Sequence, residues 1–130
     1  MRVTASAISL TVDDIDASSA FFKAHFGYRE LMAADGFVSL GREDGALSLV
    51  LLRRGLEVLP EGFRDRHADG VILAFTVAED LAGEEARLRG EGVEITLPLH
   101  EHPWGERLFQ VTDPNGIVVE LLEWTTPAAE

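Results

Sequence analysis

The chain contains no cysteine. That excludes a disulfide framework, a thiolate nucleophile and cysteine-ligated metal, and it suits a cytoplasmic protein. Lysine is nearly missing as well. Lys23 is the one lysine among 11 basic residues, which face 23 acidic ones for a net charge of −12. A field of that sign repels nucleic-acid phosphates and anionic lipid, so neither is expected as a partner, and it attracts cations. No apolar run approaches the roughly 20 residues of a membrane-spanning helix. The start, Met1-Arg2-Val3-Thr4-Ala5-Ser6, lacks the apolar core of a signal peptide. A glycine-rich phosphate loop, a Ser/His/Asp set and a Cys/His cluster are all wanting. What remains is 130 residues, 46% of them hydrophobic, enough for one domain with a real core.

The most informative stretch is Val111 to Trp124. Asp113-Pro114-Asn115-Gly116 is a tight turn, because proline presets φ and asparagine and glycine tolerate φ > 0. A nearly unbroken apolar run follows, rich in β-branched residues, and reads as a buried strand. Glu120 sits inside it. A carboxylate in such a strand is costly unless it is paired, hydrated or used. Arg107 is a candidate partner.

Upstream, Ile8, Leu10 and Val12 alternate with Ala7, Ser9 and Thr11, which predicts a strand over Ala7–Val12. Asp14 or Asp16 caps a helix whose Ala17, Ala20, Phe21 and Ala24 follow helical spacing, and Phe26-Gly27 ends it. Strands are expected at 29–33, 36–40 and 46–52, then a linker at about 56–69. The pattern restarts with Val71, Leu73, Phe75 and Val77 alternating with Ile72, Ala74 and Thr76. A helix at about 80–89 follows, then strands at 93–97, 107–112 and 117–124. The stretch 98–106 reads as a loop or hairpin tip, and the tail 125–130 is expected to fray.

The restart is a repeat. Val77 lies 65 places after Val12, and Gly92 lies 65 after Gly27. Gly116 lies 71 after Gly45, so the second half is longer, and on that spacing Leu49 matches Glu120. Each half reads strand, helix, strand, strand, strand and is too small to cover its own sheet. The fold class expected is α+β: two βαβββ modules, about 5–55 and 70–125 within one domain, forming a curved mixed sheet around a groove with helices outside.

Leu10-Thr11-Val12-Asp13-Asp14 before Phe21-Phe22 and Phe26-Gly27, with Asp113-Pro114-Asn115-Gly116 before Val119-Glu120, resembles the vicinal oxygen chelate superfamily over about residues 5–124. That superfamily includes glyoxalase I, extradiol dioxygenases and bleomycin-resistance proteins. The resemblance implies metal-ligand positions at Ala7, Leu49, Ile72 and Glu120. Three of these are apolar here, and one carboxylate does not hold a divalent cation. No metal and no cofactor are therefore expected. The likeness is to the metal-free, bleomycin-resistance branch, which implies a homodimer binding a small molecule. Pro103-Trp104-Gly105-Glu106-Arg107 is similar to a Pro-Trp-Gly segment of that branch.

The candidate ligand-binding residues are Glu120, Trp104, Phe37, Leu49, Ile72, Ala7, Ser9 and Arg107. Glu120 supplies a polar anchor and Trp104 a face on which a planar ligand stacks. His100 and His102 are two apart, on one side of an extended chain, and present imidazoles that could join Glu120 at a metal. Three readings stay open: a binding protein that sequesters a hydrophobic or cationic molecule, a lyase or isomerase with Glu120 as general base, and a divergent metalloenzyme recruiting a histidine.

Overall fold

The computed structural model describes residues 1–125, and most of the tail expected to fray lies outside them. The fold is α+β, with two βαβββ modules. The chain forms two compact units, Met1–Asp69 and a second beginning at Gly70. In the first, β1 (Ala7–Val12), α1 (Ile15–Phe26), β2 (Arg29–Ala34), β3 (Phe37–Gly41) and β4 (Ser48–Arg53) give a sheet of order β1-β4-β3-β2. In the second, β5 (Ile72–Thr76), α2 (Leu81–Gly90), β6 (Ile95–Glu101), β7 (Glu106–Thr112) and β8 (Val118–Trp124) give β5-β8-β7-β6. In each, the module's first strand begins the order and pairs parallel with its last strand, and the other pairs are antiparallel.

The helix boundaries follow the sequence. Asp14 is the N-cap of α1 and accepts from the Ala17 amide at 3.1 Å, and Gly27 closes it at φ 67°, a left-handed conformation that suits glycine. The buried stripe differs from the expected alanine stripe. Ser18, Ser19, Phe22 and Phe26 are buried, and Ala20 and Ala24 are exposed. Two phenylalanines offer far more apolar area than two alanines, so they set the rotation of the helix.

Under α1 lie Leu10, Val12, Val38, Leu40, Leu49 and Leu51, all buried. Leu49 pairs with Ile8 and Leu51 with Leu10, and directly opposed residues share a sheet face. Leu49 is therefore core, with none of its surface exposed, and the groove position expected for it is corrected. Val50, opposite Ser9, stands on the other face. The register explains this. Ser48 pairs with Ala7 and Val118 with Ile72, so β4 and β8 correspond at a spacing of 70, not 71.

One other segment departs from expectation. The stretch 56–69 folds back on the first unit: Arg64 donates to the carbonyls of Leu59 and Glu57, and the Ala68 amide donates to the Thr11 carbonyl. Of the two readings of 98–106, the hairpin tip is the one found: β6 and β7 pair antiparallel across it, and the turn is confined to His102–Gly105. Pro98 is tolerated there because β6 is an edge strand with shifted register between Leu97 and His100.

The register makes a test. Leu73 is 5% exposed and Ile72 is 56% exposed. Leu73→Asp abolishes cooperative unfolding, because an unpaired charge enters the core, whereas Ile72→His changes stability by less than about 1 kcal/mol. Urea denaturation of both variants checks this, and equal damage refutes the register.

Tyr28 gives a second test. Its hydroxyl donates to the Leu47 carbonyl at 2.7 Å. Burial pushes the phenol up to about 12, against the opposing pull of the Arg42 guanidinium. A group with a raised folded value stabilises the fold fully below its unfolded value of about 10 and loses that contribution as pH rises toward about 12. Stability therefore falls across this window, and Tyr28→Phe removes that component of the fall, as thermal melts at alkaline pH will show.

Candidate functional site

Glu120 is half-buried in the middle of β8. It stands opposite Gln110 of β7 on one side and Ala74 of β5 on the other. Val119 and Leu121 point toward α2 and are buried, so the alternation puts Glu120 on the face away from the helix. Gln110 donates its side-chain amide to Glu120 Oε1 at 2.8 Å. Among the described residues Glu120 has no ion-pair partner.

Arg107 does not meet Glu120. It lies on the other face, with Glu123 directly opposite, and bonds that carboxylate at 2.8 Å and approaches Glu101 at 3.9 Å. Parity decides this: 107 and 110 are three residues apart on one strand and point to opposite faces. Arg107 is thus a structural ion-pair residue, and Gln110 is the partner that composition alone did not single out. The signal for it was the β7–β8 turn, which fixes which residue opposes Glu120.

Around the Gln110–Glu120 pair, the same face carries Leu108 opposite Leu122, both buried, and Thr112 opposite Val118. Ile72 and Ala74 of β5 extend it and are exposed. The face is an apolar surface with one carboxylate and one amide at its centre.

Trp104 sits on the β6–β7 turn and is 60% exposed. Its indole stacks on His102, with ring centroids 4.4 Å apart and planes 17° from parallel. Its Nε1 donates to Glu106 at 3.3 Å. His100 meets His102 edge-on at 4.8 Å. Gln110 lies four steps along β7 from Glu106, about 13 Å, so Trp104 and Glu120 are not in contact. Of the remaining candidates, Ala7, Ser9 and Phe37 belong to the first unit, on the face that Val50 and Leu52 share with them.

The register also tests the metal that the resemblance implies. The matching strand positions are Ala7 and Val50 in the first unit and Ile72 and Glu120 in the second. One carboxylate among three hydrocarbon side chains is not the donor set of a divalent cation. No three His, Asp or Glu side chains gather at metal-binding distance among the described residues. The residues present do not fit the group. Among those residues, too, no helix is long and apolar enough to cross a membrane.

Comparison with known proteins follows the same outline. The family model described as Glyoxalase/Bleomycin resistance protein/Dioxygenase superfamily matches residues 4–121. Among solved structures, a glyoxalase/bleomycin resistance protein/dioxygenase from Nocardioides is 23% identical, with a TM-score of 0.81 over 98% of this chain and 87% of that one. A lactoylglutathione lyase from Agrobacterium tumefaciens is 22% identical, with a TM-score of 0.74 over 94% of each chain. An integron cassette protein from the mobile metagenome of V. cholerae is 22% identical, with a TM-score of 0.73 over 96% of this chain and 98% of that one. At such identities the likeness carries the fold alone. No curated protein matches the chain.

Proposed function

The chain belongs to the Glyoxalase/Bleomycin resistance protein/Dioxygenase superfamily, and from that premise we propose that it is a small-molecule-binding protein that takes a hydrophobic or cationic ligand without a metal. The observation that carries this reading is Glu120. It is a half-buried carboxylate on an apolar sheet face, bonded to a neutral amide at 2.8 Å and, among the described residues, without an ion-pair partner. In a protein of net charge −12 such a group favours a positively charged ligand over an anionic one. Val118, Ile72 and Ala74 supply accessible apolar surface around it, the usual make-up of a small-molecule site. Trp104 offers an exposed indole for a ligand long enough to reach it from Glu120.

A second reading uses the same carboxylate as the general base of a lyase or isomerase, since Glu120 has no cationic partner among the described residues and could accept a proton. The two readings differ under one substitution. For a binder, Glu120→Gln weakens a cationic ligand found by thermal-shift screening about tenfold or more, the loss of one charge-assisted hydrogen bond. Trp104→Ala weakens it as well, with both variants folded. For a base-catalysed enzyme, Glu120→Gln abolishes turnover while substrate still binds. Calorimetric titration of wild type and both variants decides, and unchanged affinity in both variants refutes the site.

The active form is proposed to be a homodimer. β2 is an edge strand, which presents unpaired backbone groups that a second chain can cover, and its adjacent Leu31 and Met32 are 54% and 64% exposed. Sedimentation at micromolar concentration is expected to give a dimer, and a monomer alone counts against it.

A further inference from the structure

Glu120 is not the only polar group on its face without a full complement of partners. Gln110 donates to Glu120 Oε1 at 2.8 Å. An ionised carboxylate only accepts, so the amide must turn its NH2 toward Glu120 and its own oxygen away. Two acceptors are then left over, Glu120 Oε2 and Gln110 Oε1, with no protein donor to either among the described residues. They sit on adjacent strands in direct register. On the far flank Glu120 faces only the methyl group of Ala74, so no bulky side chain from β5 covers the pair. Above and below are Leu108 with Leu122 and Thr112 with Val118.

We infer that the Gln110–Glu120 pair selects cations that carry at least two N–H donors, such as primary ammonium or amidinium groups on an apolar body, over quaternary ammonium ions of the same charge. This rests on the cation-binding reading above and adds to it the chemical class of the ligand and a specificity residue, Gln110. A quaternary ammonium ion satisfies the charge of Glu120 and desolvates both oxygens without giving either a hydrogen bond. Leaving an acceptor unpaired on burial is costlier than never having buried it, and a site built for hydrogen bonds rejects the analogue that lacks them. An anion is repelled by the carboxylate and finds only the second amide N–H to receive.

A matched pair of probes tests this: phenethylammonium and its N,N,N-trimethyl analogue, titrated by calorimetry into the full chain. The expected result is that the primary ammonium binds about tenfold or more tightly than the quaternary one. In Gln110→Met, which keeps the length and removes one of the two acceptors, the preference for the primary ammonium shrinks by about threefold or more and the remainder is carried by the Glu120 carboxylate. In Glu120→Gln both are weakened. Circular dichroism of each variant confirms the fold. If both probes bind wild type equally and both are lost in Glu120→Gln, this inference is overturned and the cation-binding reading stands. A preference undiminished in Gln110→Met overturns the role of Gln110. If neither probe binds, the cation-binding reading falls and this inference with it.

Discussion

The second sheet depends on how Asp113 closes the turn before β8. Its carboxylate is buried, and one oxygen accepts from the Asn115 and Ile117 amides at 2.9 and 2.8 Å. The backbone adds bonds between Asp113 and Ile117 and from the Gly116 amide to the Asp113 carbonyl. Pro114 and Gly116, the latter at φ 85°, suit the bend. A turn fixed by so many bonds admits one register of β7 on β8. A slip of one residue exchanges the faces of every side chain on the strand. It would bury Glu120 against α2 and lift Val119 and Leu121 into solvent. The apolar strand around Glu120 enforces the register from one side and the Asp113 turn from the other.

Much of this was legible without coordinates. The Asp113–Gly116 turn, the strand after it and the carboxylate inside it have local causes, and β8 lies within a residue of where the pattern placed it. The doubled βαβββ order was legible from Val12 and Val77 and from Gly27 and Gly92, because these positions flank helices of matching place in each half. The spacing from Gly45 to Gly116 misled. The loop between β3 and β4 runs over 42–47, and that between β7 and β8 over 113–117, so the first is a residue longer. Glycines in loops of unequal length are not equivalent positions. One residue of error in a strand reverses its faces, which is why Leu49 belongs to the core and Val50 to the opposite surface.

Gln110 and Arg107 show a different limit. Both are polar residues on β7, and composition favours the arginine as partner for a carboxylate. Only pairing across the sheet separates them: Arg107 opposes Glu123 and Gln110 opposes Glu120. Likewise, the proximity of Trp104 to His102 depends on a turn of four residues, His102 to Gly105, closed by the bond from the Gly105 amide to the His102 carbonyl at 3.0 Å. The sequence marks a loop or hairpin tip here but does not say which four residues turn, so it does not bring the rings together.

The treatment of charge bears on why Glu120 is left as it is. Several arginines are committed to carboxylates: Arg54 to Asp13, Arg53 to Asp35, Arg42 to Asp44, Arg87 to Glu84 and Glu91, and Arg107 to Glu123. The guanidinium beside Asp44 holds that carboxyl down to about 2. Most of these pairs are exposed and add little stability. Glu120, less exposed than most of their acids, is bonded instead to a neutral amide. For stability alone a hydrocarbon would serve better at that position, since the strand around it is apolar and replacing a half-buried charge with a well-packed side chain is often neutral or favourable. A carboxylate retained there, held in one orientation by Gln110 and not neutralised by a neighbouring arginine, is suited to meeting a charge that comes from outside the chain. The same economy explains the small side chain opposite it. Ala74, exposed and directly opposite Glu120, leaves the carboxylate more open on that flank than a larger side chain would.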